Sequence, residues 1–171
     1  ILNLVILPIR SKKNTHTYGA VWNKEHDKSP LLLYTENLAK GLDDKLEGYI
    51  VDYAMRYGNP SIESKILKLR VQGATEISIF PLYPQYSATT TATVYDEVYR
   101  VLSKLRWQPT IKGINPYYDN INHIAAISNQ VKKHVEAIAY NPDVILFSFH
   151  GLPKEYFAKG DPYYCHCHKT Y

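Results

Sequence analysis

The sequence predicts an α/β fold with a parallel sheet. Two observations carry this. Strand-like and helix-like segments alternate along the chain, and the strand-like segments are apolar almost throughout, the pattern of strands covered on both faces. Gly or Pro stands at most of the changeovers, which fixes where one element gives way to the next.

In order, residues 1–9 are apolar but too short to span a bilayer. They end a helix or lie along a surface, and without an initiating Met they read like the middle of something. Residues 10–29 are polar and looped. From Pro30 the spacing of Leu33, Leu38, Leu42 and Leu46 predicts a helix, with Ser29 as its cap, Pro30 in its first turn and Gly48 at its end. Residues 49–56 (YIVDYAMR) read as a strand, broken by Gly58, Asn59 and Pro60. Ile62, Ile66 and Leu69 predict a helix over 61–71, stopped by Gly73. A second strand covers 76–83, a loop 84–90, a helix 91–105 with Thr89 or Thr90 as cap, a third strand 110–114 and a long helix 120–139. A fourth strand, 143–149 (DVILFSF), closes the series. No internal repeat, low-complexity run or linker interrupts it.

Composition narrows the function. A chain of 171 residues with 45% hydrophobic and 21% charged residues is an ordinary globular chain of one domain or a little more. Its net charge of +4 is mild and no dense Lys/Arg run appears, so nucleic acid is excluded as the obvious partner. The 16 Tyr residues suit a cleft for a flat aromatic ligand, although Tyr-rich surfaces are usually bland. Two cysteines, Cys165 and Cys167, stand too close for easy disulfide geometry. Few cysteines and no signal peptide point to a reducing, cytoplasmic setting.

In open parallel sheets, ligands gather beyond the carboxyl ends of the strands. Three clusters fall there. Arg56 and Tyr57 follow the first strand, and Arg can hold a carboxylate in a bidentate pair. Residues 83–91 follow the second and include Tyr86 and Ser87. His150 follows the fourth, where partial burial would favour the neutral, ligating imidazole; the competing reading is a histidine that merely caps the strand. In the tail, Cys165, His166, Cys167 and His168 are soft ligands suited to zinc, iron or an iron–sulfur cluster. Known motifs space such ligands further apart, which favours ordinary reduced thiols near a helix start.

Four stretches then resemble the ferrochelatase family. Residues 146–153 (LFSFHGLP) look like its signature around the active-site histidine, 160–163 (GDPY) follow at its spacing, and 81–87 (PLYPQYS) and 55–60 (MRYGNP) match its bacterial branch. The resemblance runs over essentially the whole chain. It implies a doubly wound parallel sheet of the chelatase type, with residues 1–140 as a first lobe lacking its first strand and 141–171 as the truncated start of a second.

The resemblance also implies the activity: insertion of ferrous iron into protoporphyrin IX to form protohaem, the last step of haem biosynthesis. His150 matches the residue at the metal and the one assigned pyrrole proton abstraction. Arg56 and Tyr57 match a pair along the metal or substrate path, Tyr86 and Ser87 a pocket-lining loop, and Arg10, Lys13, Tyr18 and Ser29 fall among porphyrin-contacting positions. The implied partners are porphyrin and ferrous iron, with peripheral membrane contact and oligomeric state left open. No cofactor is implied beyond the substrate Fe2+; a cluster held by Cys165 and Cys167 is the disfavoured alternative. Departures stand beside these matches. The family's opening Gly-Thr-Pro-type turn, its flexible lip and the second lobe with its essential Glu do not occur in the sequence, so the chain reads as a fragment, inactive alone. A chelatase for another metal and a non-catalytic haem- or metal-binding lobe are the rival readings.

Overall fold

The computed structural model describes residues 19–171, so Arg10, Lys13 and Tyr18 lie outside the described residues. The chain forms two compact units, Ile1–Leu69 and Arg70–Tyr171.

In the first unit, helix α1 (Pro30–Asp43) begins as the sequence predicts, with Pro30 in its first turn and the Ser29 hydroxyl accepting from the Leu32 N–H at 3.2 Å. It stops short of Gly48, at Asp43 followed by Asp44. Two carboxylates at the negative end of a helix dipole oppose its continuation. The strand predicted over 49–56 does not form: only Met55 pairs, in an isolated parallel bridge with Ser61. A strand-like sequence becomes a strand when a neighbour completes its ladder, and no neighbour for this run exists among the described residues. The segment is instead tied to helix α2 (Ile62–Val71) through Asp52, which takes Lys65 at 2.5 Å and Lys68 at 2.8 Å. Partial burial pushes the Asp52 carboxyl up, but Lys65, Lys68 and the Tyr53 amide together hold the group below the usual carboxylate value.

The second unit opens where Gly73, at φ +89, turns its N–H back to the Arg70 carbonyl. Strand β1 (Glu76–Ile79) pairs in parallel with β2 (Thr110–Gly113), Ile77 opposite Ile111, and helix α3 (Thr91–Leu102) is the crossover between them. The parallel α/β arrangement is therefore present. β1 ends earlier than predicted because Pro81 and Pro84 follow, and proline cannot donate to a ladder. Ile77, Val98, Val101 and Leu102 are buried and form the core. Gly113 lets α3 lie close: a Cβ there would stand 2.6 Å from the Tyr95 hydroxyl.

Thr90 occupies the cap position of α3 without a side-chain cap bond. The Ser87 carbonyl does the work instead, accepting from Thr90 and Ala92 N–H groups. Helix α4 (Ile121–Ala137) is capped by Asn120, whose side chain accepts from Asn122 and His123. The predicted fourth strand, 143–149, does not form among the described residues, and Val144 is 72% and Leu146 88% exposed. Its apolar character predicts burial on both faces; with no flanking strand among the described residues it lies open. Two short helices, α5 (Lys154–Ala158) and α6 (Tyr163–Thr170), complete the unit. Among the described residues no helix is long and apolar enough to cross a membrane.

Candidate functional site

Within the first unit, the loop after Met55 is closed by its own backbone. The Met55 N–H donates to the Pro60 carbonyl at 2.7 Å, and Gly58 sits at φ +88. Arg56 is half-buried, with its guanidinium 4.6 Å from the ring centroid of the exposed Tyr57. Ser29, a candidate contact, spends its hydroxyl oxygen on the α1 cap.

In the second unit His150 forms part of the wall of two cavities. The smaller, about 290 Å³, also involves Gln85, Ser87, Thr90 and Tyr163. The larger, about 540 Å³, is mostly apolar and aromatic, with Tyr156, Phe157, Tyr164 and Tyr171 among its walls. His150 is exposed rather than partly buried as the sequence suggests, because the run before it is not enclosed in a sheet. Tyr163 stands beside it in the lining of both cavities. Burial, and then the Cys167 contact, push the Tyr163 phenol up; burial likewise pushes the Cys167 thiol up, so both keep their protons.

Ser87 and Tyr86 prove to be anchored rather than free. Ser87 is fully buried. Its hydroxyl donates to Asp161 Oδ2 at 2.9 Å and accepts from the Thr89 N–H at 3.1 Å. With that proton committed, the Thr89 hydroxyl is the donor in its 2.9 Å contact with Ser87 Oγ. Asp161 Oδ2 also takes the Ala88 N–H at 2.8 Å, and Oδ1 takes the Tyr163 N–H at 3.0 Å. Partial burial raises the Asp161 carboxyl, but the Ala88 and Tyr163 amides and the Ser87 hydroxyl together hold it below the usual value.

The Tyr86 N–H donates to His166 Nδ1 at 3.1 Å, which places the His166 proton on Nε2 in the neutral ring. That ring stacks on Tyr118 with centroids 3.7 Å apart and 13° between planes. Burial, and then Lys169, lower the His166 pKa against the opposing pull of Asp119 and Asp161. Gln85 Nε2 donates to Thr170 Oγ1 at 3.0 Å.

Sequence reasoning missed Asp161, His166 and Tyr163 as supports. The GDPY stretch was a signal that something there mattered, but nothing in local spacing says which loop its carboxylate grips. Cys165 is exposed and Cys167 buried, two positions apart on α6 and so on different faces of the helix. Among the described residues no three His, Cys, Asp or Glu side chains are grouped to hold a metal ion.

Comparison with known proteins adds a family. The ferrochelatase family profile matches residues 1–171. The ferrochelatase of Francisella tularensis subsp. novicida (strain U112) is 80% identical over 171 residues, all of this chain and 51% of that protein. Those of subsp. tularensis (strain WY96-3418) and subsp. holarctica (strain OSU18) are each 79% identical over the same share. The chain thus spans about half the length of the curated relatives it matches.

Proposed function

Because the chain belongs to the ferrochelatase family, we propose that it serves the insertion of ferrous iron into protoporphyrin IX, the reaction that yields protohaem. The observation that carries this reading is the placement of His150: a solvent-reachable imidazole on the wall of two adjoining cavities, the larger of them lined by aromatic rings. Aromatic faces suit a flat macrocycle. The reaction class is that of a metal-inserting lyase, and the scarcity of cysteines favours a cytoplasmic setting.

A porphyrin gives up its two pyrrole protons to accept a divalent ion. A neutral imidazole can take a proton or hold iron beside the ring, one task at a time. Bending the macrocycle presents its nitrogens to the metal, and contacts remote from the centre can supply about 1–5 kcal/mol of such strain. Arg56, Tyr57, Tyr86, Arg10, Lys13, Tyr18 and Ser29 are the groups we assign to those contacts. Ser87, buried and bonded to Asp161, supports the cavity wall from within.

The test is His150→Ala in a full-length protein carrying this sequence, followed by porphyrin absorbance during addition of Fe2+. Wild type should give progressive metalloporphyrin formation. The variant should lose insertion while porphyrin still binds; near-normal turnover would remove His150 from the reaction.

A further inference from the structure

Four consecutive residues, 85–88, are each held by a segment more than seventy positions away in sequence. Gln85 is bonded to Thr170, Tyr86 N–H to His166, and Ser87 Oγ and Ala88 N–H to Asp161. Gln85 and Ser87 are also part of the wall of the smaller cavity, which includes His150. The same distant segment stands beside His150: Tyr163, whose N–H is bonded to Asp161, lines both cavities together with His150. One stretch of chain therefore holds the loop and adds a wall residue beside the histidine that shares its cavity.

We infer that Asp161 and His166 are positioning residues that clamp the 86–88 backbone in register with His150. Each grip has a chemistry that a general packing residue could not replace. The Asp161 carboxylate accepts three hydrogen bonds, one of them from the fully buried Ser87 hydroxyl. His166 must present a bare Nδ1, and the Tyr118 face fixes the ring in the plane where that nitrogen meets the Tyr86 amide. The effect on turnover rests on the proposed iron insertion; the clamp itself does not.

The test uses a full-length protein carrying this sequence, with two readouts. The first is hydrogen exchange of the Tyr86, Ala88 and Tyr163 amides. The second is the kcat and porphyrin KM of iron insertion. His166→Phe keeps the stack on Tyr118 but removes the acceptor, whereas His166→Asn restores an acceptor near the Nδ1 position. For His166→Phe, exchange at Tyr86 should rise about tenfold, and kcat should fall about tenfold with KM changed less than about twofold. His166→Asn should recover most of both.

Unchanged exchange at Tyr86 in a folded His166→Phe protein overturns the clamp, as does a His166→Asn protein no better than His166→Phe. Should His166→Phe fail to fold, Asp161→Asn decides. Its amide nitrogen must face one of the former donors, so exchange at Ala88 or Tyr163 should rise about tenfold, and no rise at either overturns the proposal. If wild type inserts no iron, the functional reading fails and the exchange arm still judges the clamp. If wild type turns over and the His166→Phe kcat is unchanged, the clamp has no bearing on the reaction and the inference is overturned.

Discussion

In residues 55–61 the chain folds back on itself: Met55 N–H reaches the Pro60 carbonyl, Gly58 takes the positive φ, and the Ser61 hydroxyl accepts from Ser64 to start α2. Residues 85–88 have no such self-sufficiency. Ser87 also bonds locally to Thr89, Thr90 and Ala92, but each of the four residues has a bond that ends on Asp161, His166 or Thr170. Both loops carry residues assigned to substrate, yet one is held by neighbours in sequence and the other by a remote segment. The lesson is that a local turn keeps its shape through its own dihedral preferences, while a clamped loop is only as rigid as the tertiary packing that brings its partner.

Removing the partner is the sharpest way to break that contrast. Asp161→Ala leaves the buried Ser87 hydroxyl and two amides without their acceptor. We expect a loss of about 2–3 kcal/mol, the range for stranding a buried donor and losing charged hydrogen bonds. It would be read from the urea midpoint of the chain. A loss under about 0.5 kcal/mol would mean that the loop finds other acceptors, and that the two loops do not differ in kind.

Gly58→Ala probes the self-held loop. At φ +88, with nothing within 4 Å of a built Cβ, the substitution brings backbone strain and no clash. The expected loss is about 1–2 kcal/mol. Exchange at the Met55 amide should speed up while exchange at Tyr86 stays as it was. If the Tyr86 amide responds equally, the loop is not self-held.

Acid acts on both regions, through Asp161 at the clamped loop and through Asp52 just before the self-held one. Asp161 and Asp52 are both held below the ordinary 3.8, so each binds protons less readily folded than unfolded. Their contribution is complete above the unfolded value and is lost as pH falls below 3.8 through the folded one. Melting temperature should therefore drop as pH falls below about 4, and Asp161→Ala should flatten that drop. An equally steep drop in the variant would assign the acid sensitivity to other groups.

The same contrast explains what could be read from sequence. Ser29 before Pro30 and Gly73 after Val71 are local signals, and the helix ends they mark stand where expected. The β1–β2 pair was legible because its apolar pattern and its crossover helix lie in one contiguous stretch. Residues 49–56 and 143–149 misled because a strand depends on neighbours its own sequence cannot name. The cavity wall shows the same limit. His150, Tyr86 and Ser87 were found from their places after strand-like runs, whereas Asp161 and His166 act across 73 to 80 positions, a separation that no periodicity records.

The mildest prediction concerns the ion pairs that tie residues 49–56 to α2. Asp52 holds two lysines, but the two are not equal. Lys65 is 20% exposed, lies 2.5 Å from Asp52 and is 5.1 Å from the Tyr53 ring centroid, whereas Lys68 is 53% exposed and meets the other carboxylate oxygen at 2.8 Å. Lys68→Ala removes an exposed pair from a carboxylate that keeps its better partner, so the loss should be below about 0.5 kcal/mol and fade as salt screens it. Lys65→Ala should exceed it, because the cation over Tyr53 goes as well. Urea midpoints at low and high salt check the ranking. Equal losses for the two would show that Asp52 is held by net charge alone, with geometry contributing nothing.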